Sequence, residues 1–336
     1  MANSPKIGAL VHLADLRTTA AAKHWTFSIA YTEPSDEDDR ALTGTHFDER
    51  IFEEVPKTHA LADEAVQFDA DASEIAKLMA GQPKCDPHAK AFNWRDVNRM
   101  TPVRHQHCGD CWAYASAGAY ESSYAVRNRG EQIQGSVQDI VDCATGPDGD
   151  AGSCEASYHG PYVGGPHAVF YWMRTHALAS EAQYPTVDKD GKCRHVAASY
   201  YAANCDFADP SVKGVASVQS IKNAVCAHRA IAASIYASDA LIHYGCGVFN
   251  EGNDQAGINH SIVIAGWDDA KGAWLIKNSW GEKWGDHGYG WIQYGSNNIG
   301  YAASWVQAPV ARVPAKVHEV SDLMKKHGFT PAPDRK

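Results

Sequence analysis

Residues 274–292, WLIKNSWGEKWGDHGYGWI, carry the most specific pattern in this 336-residue chain. An apolar run ends at Asn278, and glycines at 281, 285, 288 and 290 then alternate with Trp280, Trp284, Tyr289 and Trp291. Runs of this kind, broken by glycine, read as strands joined by tight turns. Upstream, HSIVIAGWD (260–268) and AIAASIY (230–236) are further apolar, β-branched runs with turn residues between them. The first half reads differently. Cys111 to Arg129 is an uninterrupted Ala-rich stretch of helical character, with shorter helices expected over Ser136–Val141 and His167–His176. Helices followed by strands imply an α+β architecture in two lobes.

The chemistry-bearing residues sit at the edges of these elements. His107-Cys108-Gly109-Asp110-Cys111-Trp112 opens the long helix. A thiol there lies at the positive end of the backbone dipole, which favours thiolate, the nucleophilic form. The same segment is a CxxC, so a redox pair, half of a zinc site or a structural disulfide fits the spacing equally. His260 begins one apolar strand and Asn278 closes the next. An asparagine beside an imidazole fixes its orientation and tautomer, and Trp280 can cover that bond from water.

In this order and spacing the three residues resemble the papain-like cysteine peptidases, and 149 positions separate Cys111 from His260. The similarity runs from about Phe92 to Gln307 on NWRDVNRMTPVRHQ, CGDCWAYASAGAYES, SVQDIVDC, AGSC, GINHSIVIAGW and the opening string. It implies a two-lobed fold, helical on one side and β-barrel-like on the other, with the active-site cleft between. Cys111 matches the nucleophile, His260 the base and acid, Asn278 the orienting residue, and Gln106 the oxyanion-binding amide. Gly164, Gly165, Pro166, Ile258, Asn259 and Trp280 are the expected substrate contacts. Disulfides Cys108–Cys154 and Cys143–Cys193 follow from the resemblance, and the first of them excludes the redox reading of the CxxC. Peptide or protein is the implied substrate, cleaved as by an endopeptidase through an acyl-enzyme, with neither metal nor organic cofactor.

Three departures stand out. Only His107 separates Gln106 from Cys108, Asp110 replaces the usual serine, and EASYHGPYV (155–163) is inserted before Gly164. A charge at Asp110 opposes thiolate formation. The altered glutamine spacing and Asp110 keep open a catalytically inactive papain-fold binding protein as the rival reading. Asn259-His260-Ser261 also matches the glycosylation pattern, taken as coincidence at this site.

Residues 1–90 are expected to form an N-terminal propeptide-like segment that covers the cleft, resembling extensions on some bacterial members. It contains a helical pattern over Gly8–Lys23 (Leu10, Val11, Leu13, Leu16), a strand over Trp25–Tyr31, a solvated acidic loop at PSDEDDR (34–40), and a second helix near Ser73–Met79. The peptidase domain is expected over 91–308, helical over about 105–205 and strand-rich over 206–308. A loosely attached extension follows over 309–336.

Nine cysteines leave one free if four bridges form. Cys85, Cys205, Cys226 and Cys246 then supply two of these in three possible pairings. That density points to a secreted, periplasmic or lysosome-like compartment, although the first residues lack the apolar core of a signal peptide. Net charge is −10 and no dense basic run occurs, so nucleic acid is not an expected partner. No apolar run is long enough to span a bilayer, and a monomer is expected.

Overall fold

The computed structural model describes residues 7–45, 80–144, 153–154, 165–310 and 317–326. In chain order the helices are α1 (Ile7–Ala22), α2 (Asp39–Leu42), α3 (Cys111–Arg127), α4 (Val137–Cys143), α5 (Pro166–Trp172), α6 (Val218–His228), α7 (Asp239–Ile242) and α8 (Val317–Lys326). The strands are β1 (Phe27–Ile29), β2 (Ala91–Asn93), β3 (Asn204–Phe207), β4 (Ile231–Ile235), β5 (Tyr244–Phe249), β6 (His260–Asp268), β7 (Ala273–Lys277), β8 (Tyr289–Gln293) and β9 (Tyr301–Gln307).

All nine strands join one sheet in the order β1-β5-β8-β7-β6-β4-β9-β3, with β2 also paired to β6. The ladders are antiparallel except β5 with β8. β6 is buried along eight of its nine residues, which explains its continuous apolar run in place of alternation. Helix α3 packs on β6, β9 and β4. It is buried from Cys111 to Val126, so it has no solvent-facing side. Small side chains let it approach closely: a Cβ on Gly118 would lie 3.2 Å from Val263. Ser136 caps α4 and Ser217 caps α6, each accepting from the backbone N–H three residues on.

The helix and strand expected in the N-terminal segment are present as α1 and β1. The inward stripe of α1 differs from the expected one: Leu10 and Val11 face solvent, while Leu13 is buried and Leu16 and Ala20 pack on the core. That spacing of three and four residues is one helical face. PSDEDDR is not simply a loop. Its charges are largely exposed, yet Pro34 is buried in a 3₁₀ turn (Glu33–Asp36), and Asp38 caps α2. The helix expected near Ser73–Met79 lies outside the described residues. In the C-terminal extension, Leu323 and Met324 of α8 are buried.

Cys108–Cys154 and Cys143–Cys193 are bridged, and Cys85 pairs with Cys226. The fourth expected bridge does not form. Cys205 lies on β3 at one end of the sheet and Cys246 on β5 near the other, so the two cannot meet. Three thiols are free among the described residues: Cys111, Cys205 and Cys246. With Cys108 in a bridge, the CxxC is not a redox pair.

Candidate active site

Cys111 is the first residue of α3 and is completely buried. His260 is the first residue of β6, also completely buried. Its Nε2 lies 2.8 Å from Asn278 Oδ1, and that oxygen also accepts the Ser279 N–H at 2.8 Å. The Trp280 ring stacks on the imidazole at 4.5 Å between centroids. Trp284 meets Trp280 edge-on at 5.6 Å. The expected arrangement of histidine, asparagine and covering indole is therefore assembled by the ends of β6 and β7.

Gln106 reaches the same place despite its shortened spacing to Cys108. Its backbone N–H donates to the Ser279 carbonyl at 2.8 Å, and its Oε1 accepts the Ser279 hydroxyl at 2.6 Å. This orients Nε2, which donates to the carbonyl oxygens of Cys108 (3.0 Å) and Ala41 (2.8 Å). Ser279 was not among the expected site residues; its place in the KNSW string was the signal.

The N-terminal segment crosses these groups. Trp280 Nε1 donates to the Leu42 carbonyl at 3.1 Å. Thr45 Oγ1 lies 3.2 Å from Cys111 Sγ and 2.7 Å from Ser261 Oγ. The Asn259 carbonyl accepts both the Gly44 and Thr45 N–H groups, at 3.1 and 3.0 Å. Leu42 and Thr45 are themselves fully buried. The segment is anchored beyond the cleft as well: the Glu33 carboxylate accepts from Lys283 N at 3.3 Å, where Gly281 turns with φ +77°. A side chain at Gly281 would be strained and would also strike that carboxylate.

Burial dominates the electrostatics. It pushes the Cys111 thiol up, against hydrogen bonds from Thr45 and the Ser261 and Gly44 backbone, with a lesser upward push from Asp110. It drives the His260 imidazole down to about 4, although Asn278 and the Leu42 backbone favour the charged form. With this segment in place the pair is uncharged at neutral pH. Asp110 is buried too, and burial holds its carboxyl well above the usual carboxylate range. Burial thus works against the negative charge that Asp110 would place beside the thiol.

The other expected substrate contacts are placed less centrally. Asn259 faces the segment through its carbonyl, while its side chain pairs with the Ala237 backbone. Ile258 is half-buried. Gly165 is the N-cap of α5 and Pro166 its first residue; neither hydrogen-bonds to the described residues of the crossing segment. Their neighbour His167 packs tilted against Phe207, with ring centroids 5.0 Å apart, so its ring belongs to the core. Gly164 and all of the preceding insertion lie outside the described residues.

Known proteins resemble this chain. The family described as "Papain family cysteine protease" matches residues 88–309. Mouse cathepsin J is 33% identical over 243 residues, 67% of this chain and 69% of its own length. Bovine cathepsin S is 32% identical over 213 residues, 61% of each protein. The matched region thus spans between 61% and 69% of these two relatives. Among solved structures, digestive procathepsin L 3 of Tenebrio molitor superposes with a TM-score of 0.64 at 22% identity, covering 89% of both chains. A recombinant stem bromelain precursor gives 0.62 at 21% identity, with the same coverage. On the family match, the sequence relatives and the shared fold, this chain belongs to the papain family of cysteine proteases.

Proposed function

We propose that this protein is an endopeptidase precursor held latent by its own residues 1 to about 90, with Cys111 as nucleophile and His260 as base and acid. One observation carries the reading. Residues 41–45 reach the three groups the reaction needs: Ala41 takes the Gln106 amide, Leu42 the Trp280 indole, and Thr45 the Cys111 thiol. The group presented to the sulfur is a hydroxyl, which offers no acyl carbon to attack.

Removal of the segment re-admits water and ends the burial that keeps the thiol and imidazole neutral, so the ion pair can form. The thiolate then adds to the substrate carbonyl. The oxyanion is held by Gln106 Nε2 and by the Cys111 N–H, which as the first of its helix has no acceptor within it. The imidazolium, kept in register by Asn278, protonates the departing amine, and water hydrolyses the thioester with His260 as base. Ala41 O in this reading is the stand-in for the carbonyl oxygen of substrate.

The peptidase domain is assigned to residues 91–308, with a helical lobe over about 105–205 and a strand-rich lobe over 206–308. Peptide is its substrate and a monomer its working form. Three disulfides support an oxidising compartment, whether secreted, periplasmic or lysosome-like. No described helix is long and apolar enough to cross a membrane.

The test compares full-length protein with protein lacking residues 1–82, which keeps Cys85 and its bridge to Cys226, on a peptide library, with Cys111→Ala as control. Cleavage by the truncated form alone supports the reading. Equal activity of the two removes latency, and no activity in either removes the peptidase.

A further inference from the structure

His12, Asp239 and His243 meet where α1 lies against the peptidase domain, away from the reacting groups. His12 Nε2 is 2.5 Å from Asp239 Oδ2. His243 Nδ1 is 3.5 Å from the other carboxylate oxygen and 2.9 Å from the Asp239 backbone carbonyl. The two imidazole rings are 5.5 Å apart, with the carboxylate bonded to both residues. Donor atoms from all three lie within 4.8 Å of one another.

The fold prepares this grouping from two directions. Asp239 opens the single turn of α7 and His243 is its C-cap. Four residues apart on a helical turn, their side chains share one face. His243 is buried and fixed by its bond to the Asp239 carbonyl. His12 comes from the N-terminal segment, and its side chain is half-exposed and free to adjust.

We propose that these residues form a binding site for a divalent transition metal of the zinc class, which ties the N-terminal segment to the peptidase domain. Two imidazole nitrogens and one carboxylate oxygen are a donor set that Zn²⁺ accepts, with a fourth place left for water. Bonds of about 2.0–2.2 Å put tetrahedral donors roughly 3.4 Å apart, so closing the group needs a movement of about an ångström. The half-exposed His12 side chain can supply it. Because one ligand lies in the segment and two in the domain, the site exists only while both are together. Its regulatory meaning therefore rests on the latency reading above, and the metal would act outside the hydrolytic reaction.

The test uses full-length protein carrying Cys111→Ala, so that zinc cannot bind the nucleophile. Cys246→Ser is added to remove the exposed thiol. After stripping with chelator, Zn²⁺ is titrated at pH 7.5 by calorimetry into this protein and into versions adding His12→Gln or His243→Gln. One equivalent is expected to disappear or weaken in both. The effect should be at least as large as the 10–100-fold that losing a mere outer-shell partner costs. Zn²⁺ should also slow limited proteolysis of the N-terminal segment in the parent but not in the His12→Gln protein, whose exposed position leaves folding intact. Unchanged binding in the His12→Gln protein overturns the proposal. So does an equivalent lost only with His243→Gln, since the segment then contributes no ligand. A second cluster, Glu37, His105 and His107, is untouched by these changes and would register as a constant background. Because the nucleophile is absent throughout, the outcome is independent of whether residues 1–90 restrain activity; the library digest decides that.

Discussion

Thr45 Oγ1 stands 3.2 Å from Cys111 Sγ and 2.7 Å from Ser261 Oγ, which places a side chain of the N-terminal segment directly on the sulfur. The neighbouring Gly44 touches the loop that precedes α3: a Cβ there would lie 1.7 Å from the Gly109 carbonyl oxygen. Gly44→Ala must therefore lift the segment off the site. Iodoacetamide labelling of Cys111 in the full chain should accelerate at least 10-fold. Thr45→Val removes two hydrogen bonds worth about 1 kcal/mol each, so a smaller increase is expected. Labelling as slow as in the parent for Gly44→Ala would show that residues 41–45 do not guard the thiol.

In protein freed of the segment, Cys111→Ala and His260→Ala should each lower kcat by about 10⁴-fold or more, as for other nucleophile–base pairs. Asn278→Ala should fall less, because it orients the imidazole without transferring a proton. Its pH–rate profile should also move, which simple loss of stability would not produce.

Gln106→Ala in the freed enzyme should reduce kcat by about 10²–10³-fold with little change in KM, the signature of a donor used in the transition state. The same variant in the full chain loses the bond to Ala41 O, so its segment should be released more readily. A kcat within twofold of the parent would mean that the single-residue spacing to Cys108 has cost Gln106 its role.

Acid should open the precursor. His260 has its imidazole at about 4 under the segment, against an ordinary 6.5. The closed state thus binds fewer protons than the open one between these values. Its advantage is complete above pH 6.5 and is lost as pH falls towards 4, a difference of about 3 kcal/mol. Fluorescence of Trp280, which loses its Leu42 partner on opening, reports the transition in Cys111→Ala protein. Adding His260→Gln should flatten the pH dependence over this window. An unchanged slope would assign acid opening to the carboxylates alone.

Cys85→Ser or Cys226→Ser breaks a bridge spanning 141 residues, which links the stretch before β2 to α6. Chain-entropy arguments put such a loop near 5 kcal/mol at most. A clear fall in the denaturation midpoint is expected, with the geometry of His260 and Asn278 retained. Cys205→Ala should lower the midpoint less, since that thiol is unbridged and only its small buried volume is lost.

The strands and the long helix were legible because their signals are local: buried runs such as IVIAG, glycine-bounded turns, and a serine ahead of α4. Cys111, His260 and Asn278 were legible for the same reason, each marking the end of an element. Residues 41–45 were not. Their contacts with Gln106, Trp280 and Asn259 run through backbone atoms, which every residue carries, so no pattern announces them. The fate of Cys205 and Cys246 was equally hidden, because it depends on strand order across the sheet. His167 likewise gave no hint that its ring would serve the core beside Phe207.

The pairing of β1 with β5 has a further consequence. While Phe27 lies opposite Gly247, one side of β5 is engaged by the N-terminal segment and the other by β8. Once the segment leaves, Tyr244 to Phe249 becomes the naked rim of the sheet, its amides and carbonyls open to any extended chain that drifts past. Liberated enzyme should therefore be stickier in storage than its precursor, so the segment serves the protein's colloidal life as well as its chemistry.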